Sequence, residues 1–180
     1  MQREIHEDSS LKYLTILPDG YNPDKEYPLV IMLHGFGANM QDLASLAPTI
    51  SSTGYVYAFP NAPIPFNLGQ GHAGFGWMTP RGGSTPAEID KSESLLSDFF
   101  TEVLHKFNIS AGNSLLLGFS QGGGMTYRCG LNRADTFAGL AALSATLPEA
   151  QDLDPRLPTE RIQPIFIAHG RYDQMVGEAT

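Results

Sequence analysis

A serine with a glycine two residues away on each side is the feature of this chain best suited to covalent chemistry. Residues 118–122 read GFSQG, and they follow the apolar residues 115–117. The pattern is typical of a sharp strand-to-helix turn, where side chains at the glycine positions would collide with neighbouring backbone. Such a turn exposes the hydroxyl beside a helix N-terminus, whose N–H groups favour developing negative charge. We predict that Ser120 is a nucleophile; a glycine-rich surface loop is the alternative.

A second glycine-containing segment, HGFGAN at residues 34–39, follows the apolar run that ends at Leu33. Glycines let a main chain pass close to a substrate and present N–H groups to it. Acyl transfer needs two such donors about 3 Å from the oxyanion. One normally belongs to the residue after the nucleophile, here Gln121, and the other to the first strand–helix loop, here Phe36. The alternative is a plain glycine turn leading into a helix.

The third segment, HGRYDQMV at residues 169–176, follows the apolar residues 164–168. A carboxylate just after a strand can accept a hydrogen bond from an imidazole and stabilise the imidazolium that forms when a serine gives up its proton. Asp173 is therefore a candidate acid of a catalytic triad. A lone aspartate in such a turn is also often a local cap or an Asx turn.

Alternating strand and helix patterns are expected to position these residues. Strands are predicted at 11–17 (an early edge strand), 28–33, 55–59, 115–119, 137–143 and 164–168. Asn39 is expected to cap a helix that runs to Ala47 and stops at Pro48. A longer helix should begin after Thr85, which has proline and glutamate at the capping positions, and bury apolar side chains as far as Phe107. Together they predict an α/β fold with a mostly parallel sheet covered on both faces, binding ligands beyond the carboxyl ends of its strands.

Length and composition indicate that residues 1–180 form a single domain, which the strand and helix patterns assign to the α/β class. Apolar residues make up 42% and charged residues 17%, which is typical of a globular chain. The net charge of −8 argues against nucleic acid and anionic membrane surfaces as partners. No apolar run is long enough for a membrane span, and the polar N-terminus is not a signal peptide. Cys129 is the only cysteine, which excludes a multi-cysteine metal site and favours a reducing, cytoplasmic compartment.

These residues resemble the carboxylesterase/phospholipase group of α/β-hydrolases, which includes bacterial carboxylesterases, acyl-protein thioesterases and lysophospholipases. The matching segments follow the family's order and cover nearly the whole chain. They are LHGFGA at 33–38, AFPNAP at 58–63, Gly76-Trp77, the segment around Glu88-Ile89, GFSQGG at 118–123, Leu143-Ser144 and HGRYD at 169–173.

The resemblance implies an α/β-hydrolase fold and hydrolysis of short- to medium-chain carboxylic esters through an acyl-enzyme, without metal or organic cofactor. Lysophospholipids and thioesters are further implied substrates. By family position Ser120 is the nucleophile, Asp173 the acid, and Phe36 and Gln121 the oxyanion donors. Trp77 would line the acyl pocket. Residues 61–85 are too short for a lid domain, so we expect an open, shallow pocket.

The family's catalytic histidine follows the acid, beyond a further helix and strand, whereas this chain has seven residues after Asp173. His72, in a glycine-rich loop, is the only conceivable substitute. We expect the catalytic histidine beyond Thr180, with the last helix and strand absent from residues 1–180. The strand at 164–168 and a helix beginning near Gln174 would then lose apolar cover. This favours a homo-oligomer or pairing with a separated C-terminal piece.

Two functions remain open on the sequence. The first is a serine ester hydrolase. The second is a non-catalytic protein of the same fold that binds acyl compounds or a partner. Paired glycine loops favour the first, because a simple binding pocket does not require an oxyanion hole.

Overall fold

The computed structural model describes residues 1–67, 69, 73–80, 82–160 and 162–176. Within these residues there are nine strands: β1 (Gln2–His6), β2 (Tyr13–Leu17), β3 (Leu29–Leu33), β4 (Val56–Pro60), β5 (Ile64–Asn67), β6 (Ala73–Gly76), β7 (Ser114–Phe119), β8 (Phe137–Leu143) and β9 (Ile165–Ala168). The α-helices are α1 (Ala47–Ile50), α2 (Pro86–Lys106), α3 (Gln121–Gly130) and α4 (Ala150–Leu153), and short 3-10 helices cover Leu43–Leu46 and Asp154–Arg156.

Seven strands form one sheet in the order β1-β2-β4-β3-β7-β8-β9, and β5 and β6 form a separate antiparallel hairpin. Strands β4, β3, β7, β8 and β9 run parallel, which confirms the mostly parallel sheet. Residues 11–17 were predicted as an edge strand, and this is wrong. The polar segment Gln2–His6 pairs antiparallel with β2 and forms the edge, so β2 is an inner strand with all five residues buried.

Apolar clusters lie on both faces of the sheet, as parallel strands require. Alternate residues of β3 point to opposite faces: Leu29, Ile31 and Leu33 pack with one cluster, and Val30 and Met32 with the other. The first cluster contains side chains of α2 and α3. The second contains Ala44 of the 3-10 helix Leu43–Leu46 and Ala47, the first residue of α1. Helices therefore cover both faces.

Helix α2 confirms its predicted start and buried face. The Thr85 side chain accepts a hydrogen bond from the Glu88 N–H, which stabilises the first turn, and the helix buries Leu96, Phe99, Phe100 and Val103. The helix predicted over 39–47 is confirmed only in its second half: helical structure begins at Leu43 as a 3-10 helix and continues through α1 to Ile50. The Asn39 side chain accepts instead from the Gln41 N–H in a turn, and Pro48 lies inside α1 rather than ending a helix.

The last described strand is open to solvent on both faces. All four residues of β9 are exposed, with Phe166 at 64% and Ile167 at 62%, so the strand presents apolar surface to solvent, as predicted. Residues 174–176 form bends, so the described part of the chain contains no helix beginning near Gln174.

Candidate active site

Ser120 occupies a strained turn between β7 and α3. Its φ of 53° and ψ of −118° lie where side-chain-bearing residues are rare, and such a conformation costs on the order of 1–3 kcal/mol. The Ser120 N–H donates to the Leu143 carbonyl at 2.8 Å, and the Ser120 carbonyl accepts from the Gly123 N–H at 2.9 Å. These bonds hold the strained residue, and its side chain is half-buried at the carboxyl end of β7.

The glycines around Ser120 are explained by close backbone contacts. A Cβ on Gly118 would lie 2.2 Å from the Gly122 carbonyl oxygen, and one on Gly122 would lie 2.2 Å from the Leu33 carbonyl oxygen. A Cβ on Gly123 would lie 2.4 Å from the Ala145 Cβ. Side chains cannot be accommodated at these distances, so the three glycines are a requirement of the turn. This is the strand-turn-helix context expected for a nucleophile.

The loop after β3 lies directly against this turn. Leu33 of β3 is in register with Gly118 of β7, so the two strands end side by side. A Cβ on Gly35 would lie 3.4 Å from the Ser120 Cβ. The loop containing Phe36 and the turn containing Gln121 therefore meet beside the Ser120 side chain.

The hairpin of β5 and β6, which the sequence reasoning missed, holds this loop in place. The Gly37 N–H donates to the Phe75 carbonyl at 2.8 Å, and the Phe75 N–H donates to the Ala38 carbonyl at 2.9 Å. The Ala38 N–H bonds the Gly35 carbonyl at 3.3 Å. The N–H groups of Gly37 and Ala38 are therefore both engaged by backbone carbonyls, and the hairpin fixes the loop on the side of Phe75.

Helix α3 begins at Gln121, so its peptide N–H is one of the first four, which have no acceptor inside the helix. The Gln121 side chain makes two further contacts. Its Oε1 accepts from the Trp77 N–H at 2.7 Å, and its Nε2 donates to the Met78 carbonyl at 2.7 Å. Gln121 thus connects the serine turn to the segment that leads from β6 to α2.

Trp77 does not have the predicted position. Its side chain has no exposed surface and lies in the core, where its indole Nε1 donates to the His34 carbonyl at 2.9 Å. This burial does not fit a residue that lines an acyl pocket. The exposed aromatic surface beside the site belongs instead to Phe36, which is 39% exposed and contacts Phe66 of the hairpin with ring centroids 4.8 Å apart.

His34 is a buried structural residue of the same loop. Its Nε2 accepts from the Ala62 N–H at 3.0 Å, which assigns the proton to Nδ1, and Nδ1 donates to the Gly35 carbonyl at 2.8 Å. Burial lowers the pKa of His34 below its usual value, opposed by the hydrogen bond to Gly35. Both ring nitrogens are therefore engaged in shaping the loop.

Asp173 lies in the turn after β9, at the same carboxyl ends of the parallel strands as the Ser120 turn. Its Oδ1 accepts from the N–H groups of Met175 and Val176, both at 2.9 Å, in the local turn that was the alternative interpretation. These bonds lower the pKa of Asp173, and the nearby His169 adds to that effect. The other oxygen, Oδ2, is 3.8 Å from the His169 Nε2. The turn therefore holds the carboxylate in its ionised form, with Oδ1 bound by two backbone N–H groups and Oδ2 nearest to His169.

The structure gives the other histidines different surroundings. His6 stacks on Tyr13 with ring centroids 4.4 Å apart and contacts Lys106, at the opposite edge of the sheet from β9. His105 is exposed in the last turn of α2. The Nε2 of His169 is 2.8 Å from the Val176 carbonyl. His72, the conceivable substitute base, lies outside the described residues.

The described residues contain neither a metal-binding cluster nor a membrane-spanning helix. They contain no cluster of three or more histidine, cysteine or acidic residues able to hold a metal ion. Within the same segments, no helix has the length and apolar character needed to cross a membrane.

Comparison with known proteins agrees with this geometry. Residues 21–179 match the model of a family described as Phospholipase/Carboxylesterase. The chain is 32% identical over 188 residues to acyl-protein thioesterase 1 of Mycosarcoma maydis, covering 93% of this chain and 77% of that protein. It is 30% identical over 164 residues to acyl-protein thioesterase 1 of Candida albicans, covering 82% and 71%.

Solved structures share the fold at lower identity. Esterase PE8 superposes with a TM-score of 0.76 at 21% identity, covering 91% of this chain and 76% of that one. The Bacillus cereus carboxylesterase gives 0.69 at 17% identity, covering 94% and 75%. The sheet described above is therefore that of an α/β-hydrolase.

Proposed function

The chain belongs to the phospholipase/carboxylesterase family, and on that premise we propose that it is a serine hydrolase of short- to medium-chain carboxylic esters. Ester hydrolysis is the reaction common to the family's description and to the names of its relatives. The observation that best supports a serine mechanism is the contact between the strained Ser120 turn and the loop containing Gly35. A simple binding pocket has no need of this strain.

In the proposed mechanism the Ser120 oxygen attacks the ester carbonyl carbon while its proton passes to a histidine base. The negative charge on the carbonyl oxygen is held by the N–H groups of Gln121 and Phe36. When the tetrahedral intermediate collapses, the bond from the carbonyl carbon to the alkoxy oxygen breaks and the alcohol leaves with the base's proton. Water, which gives a proton to the same base, then attacks the acyl carbon; the bond from that carbon to the Ser120 oxygen breaks, the proton returns to Ser120, and the free acid is released.

Asp173 is proposed to orient the base and stabilise its imidazolium. The fixed, ionised carboxylate at the end of β9 supports this role. For the base itself we propose a histidine beyond Thr180, because the order serine, acid, histidine is the rule for this fold. The engagement of both nitrogens of His34 supports a base elsewhere.

The acyl group is proposed to lie on the aromatic surface formed by Phe36 and Phe66, next to the serine turn. A partly exposed surface of this kind suits small apolar acyl groups. The names of the two thioesterase relatives support thioesters as an additional substrate class. Neither charge nor fold supports a nucleic-acid partner, and the buried single Cys129 supports a reducing, cytoplasmic location.

Hydrolysis of p-nitrophenyl esters from acetate to octanoate by the full-length protein tests the proposal. Ser120→Ala should reduce kcat to the residual that binding and the oxyanion hole supply, about 10³–10⁴-fold over water. Ser144→Ala is the matched control, because Ser144 also has a positive φ, 47°, at the end of the neighbouring strand β8. The control should keep the parent's activity. Full activity in Ser120→Ala, or loss in Ser144→Ala alone, would contradict the assignment.

A further inference from the structure

The segment that leads from β6 to α2 is held by side chains from two helices. Gln121 of α3 bonds both the Trp77 N–H and the Met78 carbonyl, each at 2.7 Å. Ser92 of α2 donates its hydroxyl to the Trp77 carbonyl at 2.6 Å. Glu88, also of α2, accepts from the backbone and the hydroxyl of Thr79, the latter at 3.0 Å.

The same segment contacts the loop on the other side of Ser120. The Trp77 indole donates to the His34 carbonyl at 2.9 Å, and the hairpin preceding Trp77 pairs through Phe75 with residues 37 and 38. One continuous set of hydrogen bonds thus runs from the Gln121 carboxamide through Trp77 to the loop of Phe36. It connects the two segments that contain Gln121 and Phe36, whose peptide N–H groups the proposed function uses as oxyanion donors.

We propose that the Gln121 carboxamide is a positioning residue: it fixes the Gln121 peptide against residues 77 and 78 and so sets the spacing of the two oxyanion donors. This inference rests on the proposed function and extends it from the Gln121 backbone to its side chain. The carboxamide oxygen accepts one of these bonds and the carboxamide nitrogen donates the other. Together they determine the orientation of the carboxamide as well as its position. A donor is effective only at about 2.7–3.1 Å from the oxyanion.

The Gln121 carboxamide is closely packed between Gly76 and the neighbouring hairpin. A Cβ on Gly76 would lie 3.3 Å from the Gln121 Oε1 and 2.8 Å from the Phe66 ring. The absence of a side chain at residue 76 therefore admits both the carboxamide and the aromatic contact of the hairpin. A replacement without the two polar atoms leaves the Trp77 N–H and the Met78 carbonyl without these partners, and the segment is free to shift.

The test compares Gln121→Leu with Ser92→Ala in the full-length protein, measuring kcat and KM for p-nitrophenyl butyrate together with Tm. Leucine keeps the approximate size of glutamine and removes both bonds. Removal of one oxyanion donor costs about 10²–10³-fold in kcat, and we expect displacement of a donor to cost about 10-fold to 100-fold, with KM changed less than threefold. Ser92→Ala releases the same segment from α2 and should lower Tm while keeping kcat, since the Gln121 contacts remain.

Ser120→Ala is measured in parallel to separate the two proposals. If Ser120→Ala is inactive and Gln121→Leu keeps the parent's kcat, the positioning role is wrong and the serine mechanism stands. If Gln121→Leu and Ser92→Ala lose kcat equally, the segment acts through stability alone and the positioning role is again wrong. If Ser120→Ala is fully active, the proposed function fails and the positioning role fails with it.

Discussion

At the scale of the residue, the site is built from backbone constraints more than from unusual side chains. The strained Ser120 is held by hydrogen bonds to Leu143 and Gly123, and its flanking glycines touch neighbouring carbonyl oxygens. The motif predicted this turn because the contacts of Gly118 with Gly122 and of Ser120 with Gly123 lie within the motif itself. The burial of Trp77 and the side-chain bonds of Gln121 could not be predicted, because both depend on residues more than forty positions away in sequence.

His34 gives a prediction about pH at this scale. Burial lowers its pKa in the folded state, and its Nε2 accepts a hydrogen bond, so the neutral ring is the form that stabilises the fold. That stability is fully present above the unfolded pKa of about 6.5 and is lost as pH falls below it toward the lowered folded value.

We therefore expect the Tm of the parent to fall more steeply between about pH 6.5 and pH 5 than that of His34→Gln, whose amide cannot be protonated there. The glutamine variant should be less stable at neutral pH, because its amide must reproduce two hydrogen bonds with a different shape. Thermal melts at half-unit pH intervals make the comparison. Parallel curves for the two proteins would exclude His34 as the titrating group.

Asp173 gives a second prediction at the residue scale. An asparagine retains an oxygen that can accept from the Met175 and Val176 N–H groups, so Asp173→Asn should preserve the turn and remove only the charge. We expect kcat for p-nitrophenyl butyrate to fall by up to about 10⁴-fold with KM and Tm nearly unchanged, as in other triads with an uncharged acid position. An unaltered kcat would mean that Asp173 serves only the local turn.

At the scale of the element, predictions from sequence were reliable where the signals were local. Helix α2 has its capping threonine, proline and glutamate within four consecutive residues, and β8 is a continuous apolar run with the predicted bounds 137–143. The hairpin of β5 and β6 was missed because its short strands contain proline and glycine and are stabilised by a distant loop. The predicted helix start at Asn39 was wrong because the side chain of Asn39 forms a turn, and helical structure begins only at Leu43.

Strand β9 gives the prediction at this scale. Phe166 and Ile167 are neighbours that point to opposite faces, and both are more than half exposed beside an open sheet edge. The 180-residue chain should therefore associate with a second copy through this edge as its concentration rises. Light scattering after size-exclusion chromatography should give at least twice the monomer mass.

Phe166→Lys should shift this equilibrium toward the monomer, because a charge on an edge strand opposes pairing. Ile50→Lys is the matched control: Ile50 is 49% exposed at the end of α1, away from β9, and its substitution should leave the association unchanged. A monomer at all concentrations, or an equal effect of both substitutions, would contradict the role of β9.

At the scale of the whole molecule, the order of the strands brings the three segments of the candidate site together at the carboxyl ends of the parallel strands. Strands β3, β7, β8 and β9 are neighbours in that order, and their registers make the ends at Leu33, Gly118 and Ala168 nearly level. The oxyanion loop, the serine turn and the Asp173 turn follow those ends. This convergence was predictable from the alternation of strands and helices, because parallel strands place their carboxyl ends on the same side.

The most direct test of this account is the site of covalent modification. The full-length protein is treated with a fluorophosphonate probe, digested, and the adduct located by mass spectrometry, with Ser120→Ala and Ser144→Ala treated alongside. We predict a single adduct on the peptide containing Ser120, its loss in Ser120→Ala and its retention in Ser144→Ala. An adduct on Ser144 or another residue, or undiminished labelling of Ser120→Ala, would contradict the assignment of Ser120 as the nucleophile.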